Sequence, residues 1–553
     1  MSNADWLLLN RKKSEDQDRA MFGVADLHTH PAAHLGFGAS NDGTGGLFWG
    51  KPGHAHTDAN LSQDLPPCSP DKHSGFTMDV VEDEMRTAIM SELHKKTDWA
   101  HTADGWPTFS TWPAARSPSH QQMHITWIHR AWRAGLRLMV ASAVDNQVLS
   151  MMWHRYALAP APSVDSSFDY NSAKKQLDFI RDLVDANPKW MKIVLTSADA
   201  VQAIQENLLA VVLGVEMDQL TITDILNLVR DEGVRFVTPV HLVNNSFGGS
   251  AVYDEMFNTA NEYLTQEYFD VVEDVGVNFR FNPVPEYLRW VSGNIFDGGD
   301  MIGHGAMAPT DASSVIYNYG VSGHRNKKGL DFDNLRKLMA EGLLIDVAHM
   351  SEICMGEAIG LAEQYEYPLF NSHTGIRPVS DEEKERGGPA TSERVLRRDH
   401  AVRLTRLGGM IGLGTAYNGQ RDPIERWFNE YKDLLSLTGG WPVALGSDAN
   451  GLSMQLANSE VDYGYPFSIP NENLGFDQCP ESFEALVLGL GTDSDFQAEG
   501  LAHYGMLPEF LHALATLDRN GPSVQKIFSS AQATVSTWGR VEQAHSRMQH
   551  MPR

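Results

Sequence analysis

The sequence predicts an α/β chain closed as a (β/α)8 TIM barrel, on three observations. There are eight short runs rich in aliphatic residues, helical stretches between several of them, and histidines or carboxylates where most of the runs stop. The runs are 21–27 (MFGVADL), 136–144 (LRLMVASAV), 209–215 (LAVVLGV), 234–240 (VRFVTPV), 342–348 (GLLIDVA), 367–372 (YPLFNS), 410–415 (MIGLGT) and 441–447 (WPVALGS). Near-continuous apolar runs of this length suit parallel strands buried on both faces, whereas a half-solvated antiparallel strand would alternate.

The helices follow from spacing and from their ends. Segment 197–208 places Val201, Ile204 and Leu208 on one stripe and opens with Ser197 as its expected cap. Segment 331–341 is closed by Gly342, expected in the left-handed conformation that ends helices. Segments 191–195 and 276–281 also read as strands and are taken as insertion or rim strands.

Strand spacing sets the organisation. A bare βα unit takes about 30 residues, yet about 100 separate the first run from the second, and about 100 the fourth from the fifth. Barrel segments are therefore expected at 21–30, 125–248 and 328–449, after an N-terminal segment 1–20. Long insertions at 31–124 and 249–327 follow strands 1 and 4, and 450–553 completes the barrel domain and adds a helical extension. Both insertions leave from C-terminal strand ends, so they should wall the site, with Trp106, Trp112, Tyr253 or Phe257 lining it.

Composition excludes several classes. The 44 Lys+Arg against 71 Asp+Glu give a net charge of −27, spread along the chain, which argues against nucleic acid or an anionic membrane as partner. The three cysteines, Cys68, Cys354 and Cys479, form no CxxC pair, so neither a disulfide scaffold nor a thiolate zinc site is expected. The N-terminal apolar run, Trp6 to Leu9, precedes its positive charges, the reverse of a secretion signal, and no stretch approaches the ~18 apolar residues of a membrane span. A soluble cytoplasmic protein acting on a small-molecule substrate is the expectation, with a homodimer left open.

The residues that stop the runs carry the chemistry. They are His28 and His30 after the first, Glu216 after the third, His241 after the fourth, His349 after the fifth, His373 after the sixth and Asp448 after the eighth. In His28-Thr29-His30 both imidazoles share a face, because residues i and i+2 do so on a strand. Each residue has a plainer reading singly: Glu216 as an acid at a helix start, His349 as context for a cap at Ser351, Asp448 as a turn residue in SDANG. None of these explains the common location. Imidazole nitrogen with carboxylate oxygen suits zinc or another first-row metal.

At this point the chain resembles the renal (membrane) dipeptidase family of metallopeptidases, in the amidohydrolase superfamily. The matching pieces, in the family's order, are ADLHTH (25–30), LGVEMD (213–218), VTPVHLVNNSFG (237–248), GLDFDNLRKLMAEGLLIDVAHMSE (329–352), PLFNSHTGIRP (368–378) and ALGSDANGL (444–452). The resemblance implies two divalent metal ions, Zn2+ by preference, with His28 and His30 on the first, Glu216 bridging, and His349 and His373 on the second. It implies His241 as the group holding the substrate carbonyl oxygen and Asp448 as the proton-transfer residue. It also supports a carboxylate-binding arginine in the loop after His373, and the spacing leaves Arg377 and Arg386 open. One position departs from the family, which presents Asp where this chain has His30, leaving the first metal more electrophilic.

The function so read is hydrolysis of a small amide, such as a dipeptide, by a hydroxide bridging two metal ions. The alternatives are a lactone, ester or phosphoester hydrolase on the same barrel and a catalytically inactive ligand-binding relative.

Overall fold

The computed structural model describes residues 23–39, 48–66, 120–148, 168–253, 255–274, 323–378, 392–416, 422–457, 500–518 and 522–550, with a few isolated positions besides. Arg386, Trp106, Trp112 and the expected strand 276–281 lie outside the described residues, as do segment 1–20 and most of both insertions.

Every one of the eight apolar runs overlaps a strand. These are β1 (Val24–Thr29), β2 (Leu136–Asp145), β4 (Leu209–Met217), β5 (Phe236–Thr238), β8 (Leu344–Ile345), β9 (Phe370–Thr374), β10 (Met410–Gly414) and β11 (Ala444–Gly446). The numbering leaves room for β3 (Met191–Ile193), which pairs only with β4, and for β6 (Val271–Asp274) with β7 (Gly323–Asn326). The hydrogen-bonded order is β8-β5-β4-β2-β1-β11-β10-β9, and a parallel bridge between Asp346 and Phe370 links β8 to β9. The order follows the chain around a ring, and helices stand between strands, so the fold is the expected (β/α)8 barrel. The two-stranded antiparallel sheet of β6 and β7, inside the second insertion, was not anticipated.

The chain divides into two compact units. The first consists of residues 1–142, 175–213 and 412–536. It holds β1 paired in parallel with β2 and with β11, and β10 paired with β11. All six residues of β1 are buried, which is why the run can be apolar without alternation. The helix Ser197–Gln205 also belongs here. Its cap is Thr196, whose side chain accepts from Asp199 N–H, not Ser197; the first residue with extended backbone geometry, one position earlier, takes the capping role.

The second unit consists of residues 143–174, 214–411 and 537–553. In it β4 pairs in parallel with β5, and β5 with β8. The helix Phe332–Ala340 is capped by Asp331, and Gly342 beyond its end has φ +73°, the left-handed geometry expected of it. Helix Glu352–Tyr365 begins at Ser351, whose hydroxyl accepts from Cys354 N–H. Cys354 itself is buried, and burial pushes its thiol up to about 12, which disfavours the thiolate form. Among the described residues no helix is long and apolar enough to cross a membrane.

Candidate metal centre

In the first unit the ligand-type residues stand where β1 and β11 end side by side. Asp448 N–H donates to the His28 carbonyl at 2.9 Å, and His30 N–H to the Ala449 carbonyl at 3.0 Å, so the ladder continues past both strands. It carries His28 and His30 to one side, with ring centroids 4.7 Å apart and planes at 80°. Asp448 Oδ1 lies 3.2 Å from His30 Nε2 and 3.8 Å from His28 Nε2. The turn that aims it is unusual: Asp448 has φ +51° and Asn450 φ +65°, left-handed values that Asp and Asn adopt more readily than most residues. Asp448 is thus a turn residue and a member of the cluster at once. Ser453 donates its hydroxyl to Asp448 Oδ2 and fixes the other oxygen.

Two rows down β1, Asp26 supports this arrangement. Its carboxylate accepts from Ser447 N–H at 3.0 Å, from His28 N–H at 3.2 Å and from the Tyr504 hydroxyl at 3.1 Å. Burial nonetheless raises its pKa above the ordinary carboxylate value.

The second unit gathers the other four. Glu216 Oε1 is 3.2 Å from His349 Nε2, and Glu216 Oε2 is 3.9 Å from His241 Nε2. His349 Nε2 and His373 Nε2 approach to 2.9 Å. Glu216, His241 and His349 each offer one ligand atom within 4.8 Å of one another, and all three are buried. Burial, followed by the neighbouring Arg394 cation, lowers His349 to about 3, which keeps the imidazole neutral.

The hydrogen-bonding inventory fixes two tautomers. Ser372 has one hydroxyl proton and gives it to Asp346 Oδ2 at 2.5 Å; its oxygen, 2.7 Å from His373 Nδ1, therefore accepts. His373 carries its proton on Nδ1 and presents the Nε2 lone pair. In the first unit His30 Nδ1 faces the Ser142 carbonyl at 3.0 Å, an oxygen that can only accept, so His30 likewise presents Nε2. Lone pairs turned inward by a partner on the opposite nitrogen are the state a metal-binding histidine needs. The donor set and its tautomers fit a divalent cation of the zinc type.

Sequence reasoning named these residues but missed those that orient them. Asp346, fully buried, accepts from Ser372 N–H at 2.9 Å, Ala348 N–H at 3.1 Å and the Thr238 hydroxyl at 3.0 Å besides the Ser372 hydroxyl. Asp218 Oδ1 lies 3.6 Å from His241 Nδ1.

Of the two arginines left open, Arg386 lies outside the described residues and Arg377 is engaged by a carboxylate. Arg377 Nη2 is held by Glu352 Oε2 at 2.6 Å and its Nε donates to the Val395 carbonyl at 3.2 Å. Among the described residues, a guanidinium beside the cluster is that of Arg394, whose Nη2 is 3.4 Å from His349 Nε2. The signal that could have found it is the run ERVLRR (393–398) leading into helix Arg398–Arg406, a second basic stretch after His373.

Part of the chain is similar to a known family. Residues 71–275 match the membrane dipeptidase family, peptidase family M19. That span includes Glu216 and His241 and bears out the resemblance seen in the motifs, with the dipeptidase-like, metal-dependent hydrolase it implied. A comparison with curated proteins found no match. Among solved structures the chain is similar to an amidohydrolase from Pseudomonas aeruginosa, at 12% identity over 74% of this chain and 92% of that one, with TM-score 0.40. It is similar to a dipeptidase of metallopeptidase family M19, at 14% identity over 75% and 88%, TM-score 0.42. A third is a metallopeptidase from Rhodobacter sphaeroides bound to a phosphinate mimic of the dipeptide L-Ala-D-Ala, at 14% identity over 69% and 89%, TM-score 0.38.

Proposed function

We propose that this hydrolase cleaves a small amide bond, of the dipeptide kind, adjacent to a free carboxylate, with two divalent metal ions of which zinc is the favoured species. The observation that carries the reading is the convergence of Glu216 Oε1, His349 Nε2 and His373 Nε2, with His373 held in the tautomer that presents its lone pair and the Arg394 cation 3.4 Å from His349. His28 and His30 would hold one ion, and Glu216 with His349 and His373 would hold the other. Bound there, divalent ions would acidify a water and polarise the scissile carbonyl.

The chain's own residues would do the rest. Asp448, aimed by its left-handed turn and by Ser453, takes a proton on Oδ1 and returns it to the departing nitrogen. His241 holds the oxygen on which negative charge develops. Arg394 pairs with the substrate carboxylate, for which a planar guanidinium is suited. His30, neutral where the resembled family has Asp, leaves the centre one charge more positive and favours an anionic substrate.

The test is a screen of metal-reconstituted protein against dipeptides, N-acyl amino acids, lactones and phosphoesters. Metal-dependent turnover of dipeptides above the other classes is expected. Turnover confined to lactones or phosphoesters would replace the amide reading, and saturable binding without turnover of any class would make the chain a ligand-binding relative.

A further inference from the structure

The second insertion begins as a short strand laid along the residues that carry His349. Ser250 and Met350 form an antiparallel bridge, Ala251 N–H donates to the His349 carbonyl at 2.8 Å, and Ser351 N–H to the Gly249 carbonyl at 2.7 Å. One residue later the chain is tied down by Glu393. This buried carboxylate accepts from Val252 N–H at 2.7 Å, from Glu352 N–H at 3.0 Å and from Asn326 N–H at 3.2 Å. It therefore joins both described ends of the insertion to the helix that follows His349, and its own neighbour in sequence is Arg394.

The next residue of the insertion, Tyr253, lies against that arginine. The Arg394 Cζ sits 5.6 Å from the centroid of the Tyr253 ring, and Phe257, from helix Glu255–Thr265, packs on Tyr253 with centroids 5.1 Å apart and planes at 64°. A long arginine side chain has several rotamers to lose on binding a ligand. A ring that holds the guanidinium beforehand lowers that cost and adds a cation–π attraction. Two residues of the insertion, Tyr253 and Phe257, and one buried anchor thus stand behind the cation beside His349.

We infer that Tyr253, braced by Phe257 and seated by Glu393, is a positioning residue through which the second insertion fixes Arg394 to select substrates carrying a free carboxylate. The inference rests on the proposed amide hydrolysis and names the group that the insertion reads.

The experiment measures kcat and KM of the metal-reconstituted protein on L-Ala-L-Ala and on its C-terminal amide, for the unmodified chain, Tyr253→Leu, Tyr253→Phe and Phe257→Leu. The expected result is an acid-over-amide preference in the unmodified chain that falls about 3- to 10-fold in Tyr253→Leu, the range of one cation–π contact. The fall should appear in KM for the acid while kcat on the amide holds. Tyr253→Phe, which keeps the ring, should restore the preference, and Phe257→Leu should lower it in the same direction. A merely structural role for the ring would lower activity on both substrates together and overturns the inference. So does an unchanged preference in Tyr253→Leu, or in Phe257→Leu should Tyr253→Leu fail to fold. Absence of turnover on both substrates in the unmodified chain would instead remove the amide hydrolysis on which the inference stands.

Discussion

Arg377 and Glu352 form a close pair, Nη2 to Oε2 at 2.6 Å, and Glu352 gathers two further guanidinium groups: Arg325 at 2.6 Å and Arg397 at 2.8 Å. Burial alone would raise the Glu352 carboxyl, but Arg377, with Arg397, outweighs it and holds the group below the ordinary carboxylate value. Arg377 is thus engaged in seating the start of helix Glu352–Tyr365. Arg377→Met should cost about 1–2 kcal/mol, within the range of a charged hydrogen bond partly compensated by the two remaining arginines, and leave the acid-over-amide preference intact. Arg394→Met should do the opposite, losing about 10-fold in kcat/KM on the acid with little change on the amide. Thermal melts and the paired substrates separate the two, and a loss of acid preference in Arg377→Met would restore that residue as the carboxylate reader.

Asp448 invites a paired substitution. A Cβ at Gly451 would fall 1.8 Å from Asp448 Oδ1, so Gly451→Ala must displace the carboxylate. Asp448→Asn keeps its place but cannot take the proton. Both variants should lower kcat by about 10² or more, the usual scale of a positioned acid–base group, and the metal content of Asp448→Asn should match that of the unmodified chain. Near-normal turnover in either would reduce Asp448 to its part in the turn.

Glu216 should govern metal stoichiometry. Its two carboxylate oxygens face different imidazoles, Oε1 toward His349 and Oε2 toward His241. Elemental analysis of protein loaded with zinc should give close to two ions per chain, and Glu216→Gln should lose at least one without unfolding the barrel. A stoichiometry of one in the unmodified chain, indifferent to changes at His349 or His373, would leave a mononuclear centre.

The barrel was legible because its strands are buried on both faces: β2 and β4 are buried along their whole length, and such strands write continuous apolar runs into the sequence. Each of His28, His241, His349 and Asp448 then declares itself as the polar residue at which a run stops. The groups that orient them were harder to see. Asp26 and Asp346 sit inside runs, and Ser372 closes one just before His373, where one polar residue reads as noise unless its partners are known. Arg394 stands 21 residues after His373, and Arg377, four residues after it, looked the better placed until Glu352 proved to hold it. The β6–β7 pair joins residues about 50 apart in sequence, and neither short strand carries an alternating pattern that would announce the pairing.

The last expectation concerns pH and stability in the second unit, where Asp145, Asp169 and Asp218 are all buried. Asp169 Oδ2 accepts from Gln219 N–H at 2.6 Å. Burial first, and then the like charges of Asp218 and Asp145, pushes Asp169 up to about 8 from an ordinary 3.8. In the unfolded chain the same carboxyl loses its proton near pH ~4. Between these limits the folded state therefore holds a proton that the unfolded state has given up, and the sign of the linkage follows. The stabilisation is fully present below pH ~4 and is lost as pH rises through about 8, at up to about 1.4 kcal/mol per pH unit for one proton. Asp169→Asn carries no proton to lose, so its stability should fall less steeply over that window. Urea midpoints at pH 5, 6, 7 and 8, with metal held saturating for both proteins, measure the difference. Parallel midpoint curves for the two chains would show that Asp169 is ionised in the folded state throughout, paired more effectively with its hydrogen-bond donors than its burial would allow.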